Sequence, residues 1–100
     1  MGTNRRIAVA DTWNDRISVF SLKGEFVRHV GVGVLLFPFA VACSVNDNEL
    51  VVADWGNNRV VVFCASGEVL RMLGWGHFRG AAIHADAIFA QREGKCVVFT

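Results

Sequence analysis

The sequence predicts an all-β fold: a β-propeller segment in which one complete four-stranded antiparallel blade is flanked by two partial blades. The first observation is an internal repeat, because an offset of 43 residues superposes residues 7–31 on residues 50–74. The second is that each copy consists of short apolar runs separated by turn residues. A period near 40 residues with several strands in each unit is typical of propeller blades and not of helical solenoids.

Identical residues at equivalent positions carry the repeat. The matched pairs are Asp11 and Asp54, Asn14 and Asn57, Arg16 and Arg59, Phe20 and Phe63, Gly24 and Gly67, Arg28 and Arg71, and Gly31 and Gly74. Propellers close with about 4–8 blades, and 100 residues hold little more than two of these repeats. An apolar content of 53% is also high for a domain of this size. We therefore expect the remaining blades to come from a longer parent chain or from other subunits.

Each repeat is predicted to contain an inner strand, two central strands and an outer strand. The first central strands are nearly continuous apolar runs, as expected where both faces of a strand are covered. Turns rich in Asn, Asp and Gly follow them and start hairpins. The predicted strands are residues 6–11, 16–20, 25–30, 39–45, 49–54, 59–64, 68–73, 81–86 and 96–100.

These strands divide the chain into three units. Residues 1–31 form a partial blade, residues 32–74 a complete blade with its connection, and residues 75–100 a partial, degenerate blade. The last unit follows the repeat only if about three residues are inserted near residues 91–94, and it is predicted to hold two strands.

The segment VADWGNNRVVVF at residues 52–63, followed by GEVLRMLG, resembles the NHL repeat. The resemblance extends over almost the whole chain, although the first unit departs from the family pattern at Trp13 and Asp15 and the second at Ala40. It implies a six-bladed propeller of four-stranded antiparallel blades. It also implies an association with ubiquitin ligases, in which such propellers follow zinc-binding modules. It implies no activity, because one fold hosts many functions.

Two charged pairs recur with the repeat: Asp11 with Arg16, and Asp54 with Arg59. A hairpin turn brings both members of each pair to neighbouring strand ends, where a planar guanidinium can bridge a carboxylate and turn carbonyls through two parallel hydrogen bonds. Because the pair recurs in successive blades, we interpret it as structural and assign no catalytic residue.

Strand alternation predicts that aromatic residues collect at one end of the blades and polar residues at the other. Exposed aromatic residues with arginine are typical of protein interfaces. For Phe37 and Phe78 the alternative is that they fill the gaps between blades. The predicted partner-binding residues, for a protein or peptide, are Trp13, Trp55, Trp75, His77 and Arg79.

Two other functions remain open. Some NHL propellers are RNA-binding modules, and arginines together with the tryptophans could contact single strands. Others are amidating lyases that hold zinc through several inward histidines, for which His84 is the single candidate, whereas a catalytic zinc needs about three protein ligands. The prediction is a binding scaffold that is not an enzyme and holds no metal or cofactor.

The net charge and the cysteines indicate which partners and which cellular location to expect. The net charge of +1 gives no bulk electrostatic preference for nucleic acid or an anionic membrane. The longest apolar run contains glycines and a proline and is too short to span a bilayer, so no membrane association is predicted. The cysteines are odd in number and form no C-x-x-C motif, which favours a reducing, intracellular and cytoplasmic location.

Overall fold

A computed structural model describes residues 6–44, 49–73, 78–84, 87–92 and 95–99, which form ten strands in three antiparallel sheets. The strands are β1 (Arg6–Asp11), β2 (Arg16–Ser21), β3 (Phe26–Val30), β4 (Pro38–Ser44), β5 (Glu49–Asp54), β6 (Arg59–Phe63), β7 (Val69–Leu73), β8 (Phe78–His84), β9 (Ala87–Arg92) and β10 (Lys95–Phe99).

Each sheet is a meander in which consecutive strands are neighbours. The first sheet has the order β1-β2-β3, the second β4-β5-β6-β7, and the third β8-β9-β10. The predicted fold class is therefore confirmed: one four-stranded antiparallel sheet is flanked by two smaller ones.

The first two sheets repeat each other in detail. Asp11 pairs with Arg16 across the β1–β2 hairpin, and Asp54 pairs with Arg59 across the β5–β6 hairpin. A short 3-10 turn forms each reversal, at Thr12–Asn14 and at Trp55–Asn57. Each turn ends on a left-handed residue of the type that tolerates positive φ, an aspartate in the first hairpin and an asparagine in the second.

The third sheet differs from the prediction. Two strands were expected beyond residue 78, but the structure has three, and β9 occupies residues for which no strand was predicted. The prediction that Cys96 begins the second strand of this unit is therefore wrong, because β10 is the third strand of its sheet. The register pairs His84 of β8 with Ala87 of β9. An alignment based on a 43-residue period does not predict this hairpin.

The main core lies between the first and second sheets. Ile17 and Val19 of β2 pack in one buried cluster with side chains of the second sheet, among them Phe63, which has no exposed surface. Val30, at the end of β3, and Leu35, in the segment that joins the two sheets, belong to the same cluster. Burial of apolar side chains therefore stabilises the contact between the two sheets. It also fixes the relative position of the β1–β2 and β5–β6 turns.

Candidate functional site at the turn end of the first two sheets

A linker, residues 31–37, runs from the end of β3 to the start of β4 along the end that carries the β1–β2 and β5–β6 turns. The Asp54 side chain is completely buried beside this linker, and its Oδ1 accepts the backbone N–H of Leu36 at 2.8 Å. The carbonyl of Leu36 in turn accepts the N–H of Gly56 at 2.8 Å. The linker is therefore hydrogen-bonded directly to the β5–β6 turn.

Arg59 connects the same carboxylate to a second point of the linker. Its Nε donates to Asp54 Oδ2 at 2.9 Å, and its Nη2 donates to the carbonyl of Val34 at 2.9 Å. Asn57 donates to both acceptors as well, at 3.0 Å to Asp54 Oδ2 and 3.2 Å to the carbonyl of Val34. The guanidinium thus bridges the carboxylate and a linker carbonyl, whereas the sequence predicted two parallel bonds and a turn carbonyl.

The first sheet contains the equivalent pair, to which no described linker residue is hydrogen-bonded. Arg16 Nε donates to Asp11 Oδ2 at 2.9 Å, and Asn14 donates to Asp11 Oδ1 at 3.0 Å. Hydrogen bonds from Asn14 and from Arg16 stabilise the ionised carboxylate and lower the pKa of Asp11 below its ordinary value of 3.8. Both side chains of the pair remain partly exposed.

The first sheet also binds the chain just after Leu36, at the end of the linker and the start of β4. The N–H of Phe37 donates to Asp15 Oδ1 at 2.8 Å, and Thr12 Oγ1 donates to the carbonyl of Pro38 at 2.8 Å. Phe37 has a φ of 52°, a left-handed conformation that is rare for an aromatic residue. Its backbone is held in that conformation by contacts from both neighbouring sheets.

Four aromatic side chains meet at this end, and we call them the aromatic cluster: Trp13, Phe37, Phe39 and Trp55. The ring of Phe37 is central, with centroids 5.0 Å from Trp13 in an edge-to-face arrangement and 5.6 Å from Trp55. Phe39 contacts both Phe37 and Trp55. Trp13 is 85% exposed although its ring touches Phe37.

The structure brings together only part of the predicted partner-binding set. Trp13 and Trp55 lie on either side of Phe37, whereas Trp75 and His77 fall outside the described residues. Arg79 lies in β8, and its side chain is also outside the described part. Phe39 was not predicted to be part of this site. It lies where the register between β4 and β5 shifts, between Pro38 and Ala40, and an apolar strand pattern does not reveal such an irregularity.

In the described part of the chain, no group of three or more His, Cys, Asp or Glu side chains could hold a metal ion. No helix in the described part is long and apolar enough to cross a membrane.

Comparisons with known proteins agree with this architecture. The chain is structurally similar to a crystal structure of the Cps50 (Swd1) β-propeller domain of Myceliophteria thermophila, with 12% sequence identity and a TM-score of 0.61. The match covers 97% of this chain and 41% of that domain, so the chain spans less than half the length of its structural neighbour. At this identity the likeness establishes the fold alone: the chain is a β-propeller segment.

The family comparison identifies the repeat. Residues 40–63 match the model described as NHL repeat, so the resemblance predicted from the sequence is confirmed there, over most of the second sheet. A search of curated proteins finds no match.

Proposed function

We propose that this chain is a propeller segment that acts as a protein- or peptide-binding scaffold, and that the aromatic cluster is its recognition surface. The observation that carries the proposal is the environment of Trp13, which is 85% exposed and whose ring contacts Phe37 edge to face at 5.0 Å. Such an aromatic contact is favourable, and it leaves most of the indole surface available to a partner.

An exposed indole that already has an aromatic contact is suited to binding. Association costs conformational entropy, and a side chain that is already ordered loses little of it when a partner arrives. Tryptophan is enriched among the residues that contribute most to protein interfaces. The linker positions the contacting ring, since the N–H groups of Leu36 and Phe37 donate to Asp54 and Asp15. We propose that Trp75, His77 and Arg79, at the next connection along the chain, extend the same surface.

Selection of peptides tests the proposal without a known partner. Random 12-residue peptides would be selected on the immobilised chain, and the affinity of each for the free chain would be measured by calorimetry. Trp13→Ala and Trp55→Ala should each weaken binding about tenfold, the effect expected of a central aromatic contact. Far-ultraviolet circular dichroism should stay unchanged, because neither side chain belongs to the buried interblade core.

Leu22→Ala is the matched control. Leu22 is also a large exposed apolar residue, but it lies in the β2–β3 turn at the opposite end of the first sheet. Its removal should leave the affinity for selected peptides as it is. Equal losses for Leu22→Ala and Trp13→Ala, or no loss for either tryptophan variant, would rule out the aromatic cluster as the recognition surface.

RNA binding is less well supported than protein binding. All three guanidinium nitrogens of Arg59 already have partners: Asp54, Val34 and Met72. Three of its five N–H donors are thus used inside the protein, and only two remain for a phosphate. Retention of single-stranded RNA that falls steeply with added salt would support the RNA alternative, and no retention at low salt would dismiss it.

A further inference from the structure

Two residues of the β1–β2 turn depart from the repeat, and the turn geometry requires neither of them. Trp13 stands where the second sheet has Gly56, and Asp15 stands where it has Asn58. Both turns nevertheless end on a left-handed residue with nearly the same dihedral angles, φ 55° and ψ 43° at Asp15 and φ 57° and ψ 43° at Asn58. Asparagine adopts this conformation as readily as aspartate, so the acid at this position needs another explanation.

Both departures contact the residue at the centre of the aromatic cluster. Asp15 Oδ1 accepts the backbone N–H of Phe37 at 2.8 Å. The ring of Trp13 meets the ring of Phe37 with centroids 5.0 Å apart and planes at 86°. The amide oxygen of an asparagine would serve equally well as acceptor for this N–H. The hydrogen bond therefore places the Asp15 carboxylate at the aromatic cluster, but it does not account for the negative charge.

The charge of Asp15 is not balanced by a neighbouring base. Residues 11–16 contain two acids and one base, whereas residues 54–59 contain one of each, and the linker contains no charged residue. Arg16 is already paired with Asp11 at 2.9 Å. Within the described part of the chain, Asp15 forms no ion pair and its Oδ2 accepts no hydrogen bond. A partly exposed, uncompensated acid thus lies beside the aromatic cluster.

The covering that Gly56 receives is not open to Trp13. A Cβ at Gly56 would overlap the carbonyl oxygen of Leu36, so the β5–β6 turn holds the linker against it because it has a glycine there. The β1–β2 turn has a tryptophan at the same position, and a linker seated in the same way would collide with its Cβ. The identity of Trp13 therefore favours a different contact at this turn.

We propose that this site takes the guanidinium of an arginine in the bound peptide; the inference rests on the proposed function and names the chemistry of its ligand. The guanidinium lies over the indole of Trp13 and donates hydrogen bonds to Oδ2 of Asp15. Tryptophan is the aromatic side chain that attracts cations most strongly, and arginine is the side chain found most often in such contacts. The carboxylate adds charge-assisted hydrogen bonds to the same group.

The shape of the guanidinium favours arginine over lysine. A guanidinium stacks on an aromatic ring with its flat face, while its N–H groups point outward in the same plane towards an acceptor. Trp13 and Asp15 are two residues apart in one turn, and they offer the ring and the acceptor. The ammonium of lysine is a strongly hydrated point charge and gains less from stacking. An anionic ligand such as a phosphate would be repelled by the same carboxylate.

Peptides selected on the wild-type chain test the arginine directly, because they should be enriched in this residue. Replacing the peptide arginine by citrulline keeps its shape and removes its charge, and it should weaken binding about tenfold in calorimetry. A lysine at the same place should give an affinity between the two. The affinity of the arginine peptide should also fall with added salt. Selected peptides that lack arginine but still need Trp13 would overturn this inference and leave the proposed function in place.

Asp15→Asn isolates the carboxylate. The variant has the residue of the second turn, so it keeps the left-handed conformation and an acceptor for Phe37, and its thermal midpoint should not change. On this variant the difference between the arginine and citrulline peptides should shrink from about tenfold to about threefold. Glu25→Gln is the matched control, since it removes an exposed acid at the opposite end of the first sheet and should leave the difference as it is.

The possible failures are distinguishable. An undiminished difference on Asp15→Asn would overturn the role of the carboxylate. A lysine peptide that binds as tightly as the arginine peptide would overturn the assignment to arginine. If no selected peptide depends on Trp13, both this inference and the proposed function fail.

Discussion

The carboxylate of Asp54 and the backbone N–H of Leu36 form a 2.8 Å hydrogen bond between a hairpin turn and the linker that enters the same blade. A fully buried carboxylate is costly unless its charge is compensated. Here Arg59 and Asn57 donate to the other oxygen, so the group is satisfied on all sides. Since Phe37 follows Leu36 directly, the same bond helps to set the position of the central ring in the aromatic cluster.

Asp54→Asn should therefore destabilise the chain strongly. The asparagine carbonyl can still accept from Leu36, but its NH₂ group would face the donating Nε of Arg59. We expect a loss of about 3 kcal/mol in the free energy of unfolding, measured by urea titration, as for other broken buried pairs. Asp11→Asn is the matched control and should cost much less, because that pair is partly exposed. Equal losses would contradict the explanation that burial makes the Asp54–Arg59 pair the more important of the two.

Arg59→Ala should damage folding or assembly, since it removes the bridge between Asp54 and the carbonyl of Val34. The reduction should appear as a lower thermal midpoint and a lower urea midpoint. Arg16→Ala removes an equivalent ion pair that holds no linker, and it should change both midpoints less. Normal stability of Arg59→Ala combined with a selective loss of peptide binding would overturn the structural interpretation of this pair.

Gly56→Ala should be destabilising for a steric reason. A Cβ at this position would overlap the carbonyl oxygen of Leu36, a backbone atom that cannot move without breaking the linker contacts. We expect a loss of about 2 kcal/mol, within the range for overpacked sites. Gly33→Ala serves as a control, because its Cβ would meet no heavy atom within 4 Å and only its positive φ of 78° opposes the change. A smaller loss for Gly56→Ala than for Gly33→Ala would contradict this explanation.

Acid should remove the contribution of Asp11. Its pKa is lowered in the folded chain by hydrogen bonds from Asn14 and Arg16, so the folded state favours the ionised form. The resulting stabilisation is complete above the ordinary value of 3.8 and disappears as the pH falls below it through the lowered folded pKa. The stability difference between wild type and Asp11→Asn should thus narrow as the pH falls below 3.8. A difference independent of pH would show that ionisation of Asp11 is not coupled to folding.

The repeated hairpins could be predicted from the sequence because recognisable residues mark where the first strand of each hairpin ends and the turn begins. β1 and β5 were predicted with the bounds that the structure has, since each apolar run stops at an aspartate that begins a turn. The opposition of Asp54 and Arg59 followed from the hairpin itself. Local pattern is sufficient where strands pair with their sequence neighbours.

The contacts of the linker could not be predicted in the same way. The bond from Leu36 to Asp54 uses a backbone N–H, which every residue except proline possesses, so no residue type marks it. The left-handed conformation of Phe37 is equally hidden, because the residue usually chosen for positive φ is glycine. The conformation of Phe37 also depends on two blades packing together, because its N–H binds Asp15 of the first sheet, and that contact has no signature in a single repeat.

The most direct measurement is the chemical shift of the tryptophan indole Nε1–H signals as a peptide selected on the wild-type chain is added. The account predicts saturable shifts of the Trp13 and Trp55 indole signals, with the backbone amides of Leu22 and Lys23 at the opposite end unmoved. Shifts confined to the Leu22 and Lys23 amides, with both indole signals unchanged at saturation, would contradict the proposal that the aromatic cluster is the recognition surface.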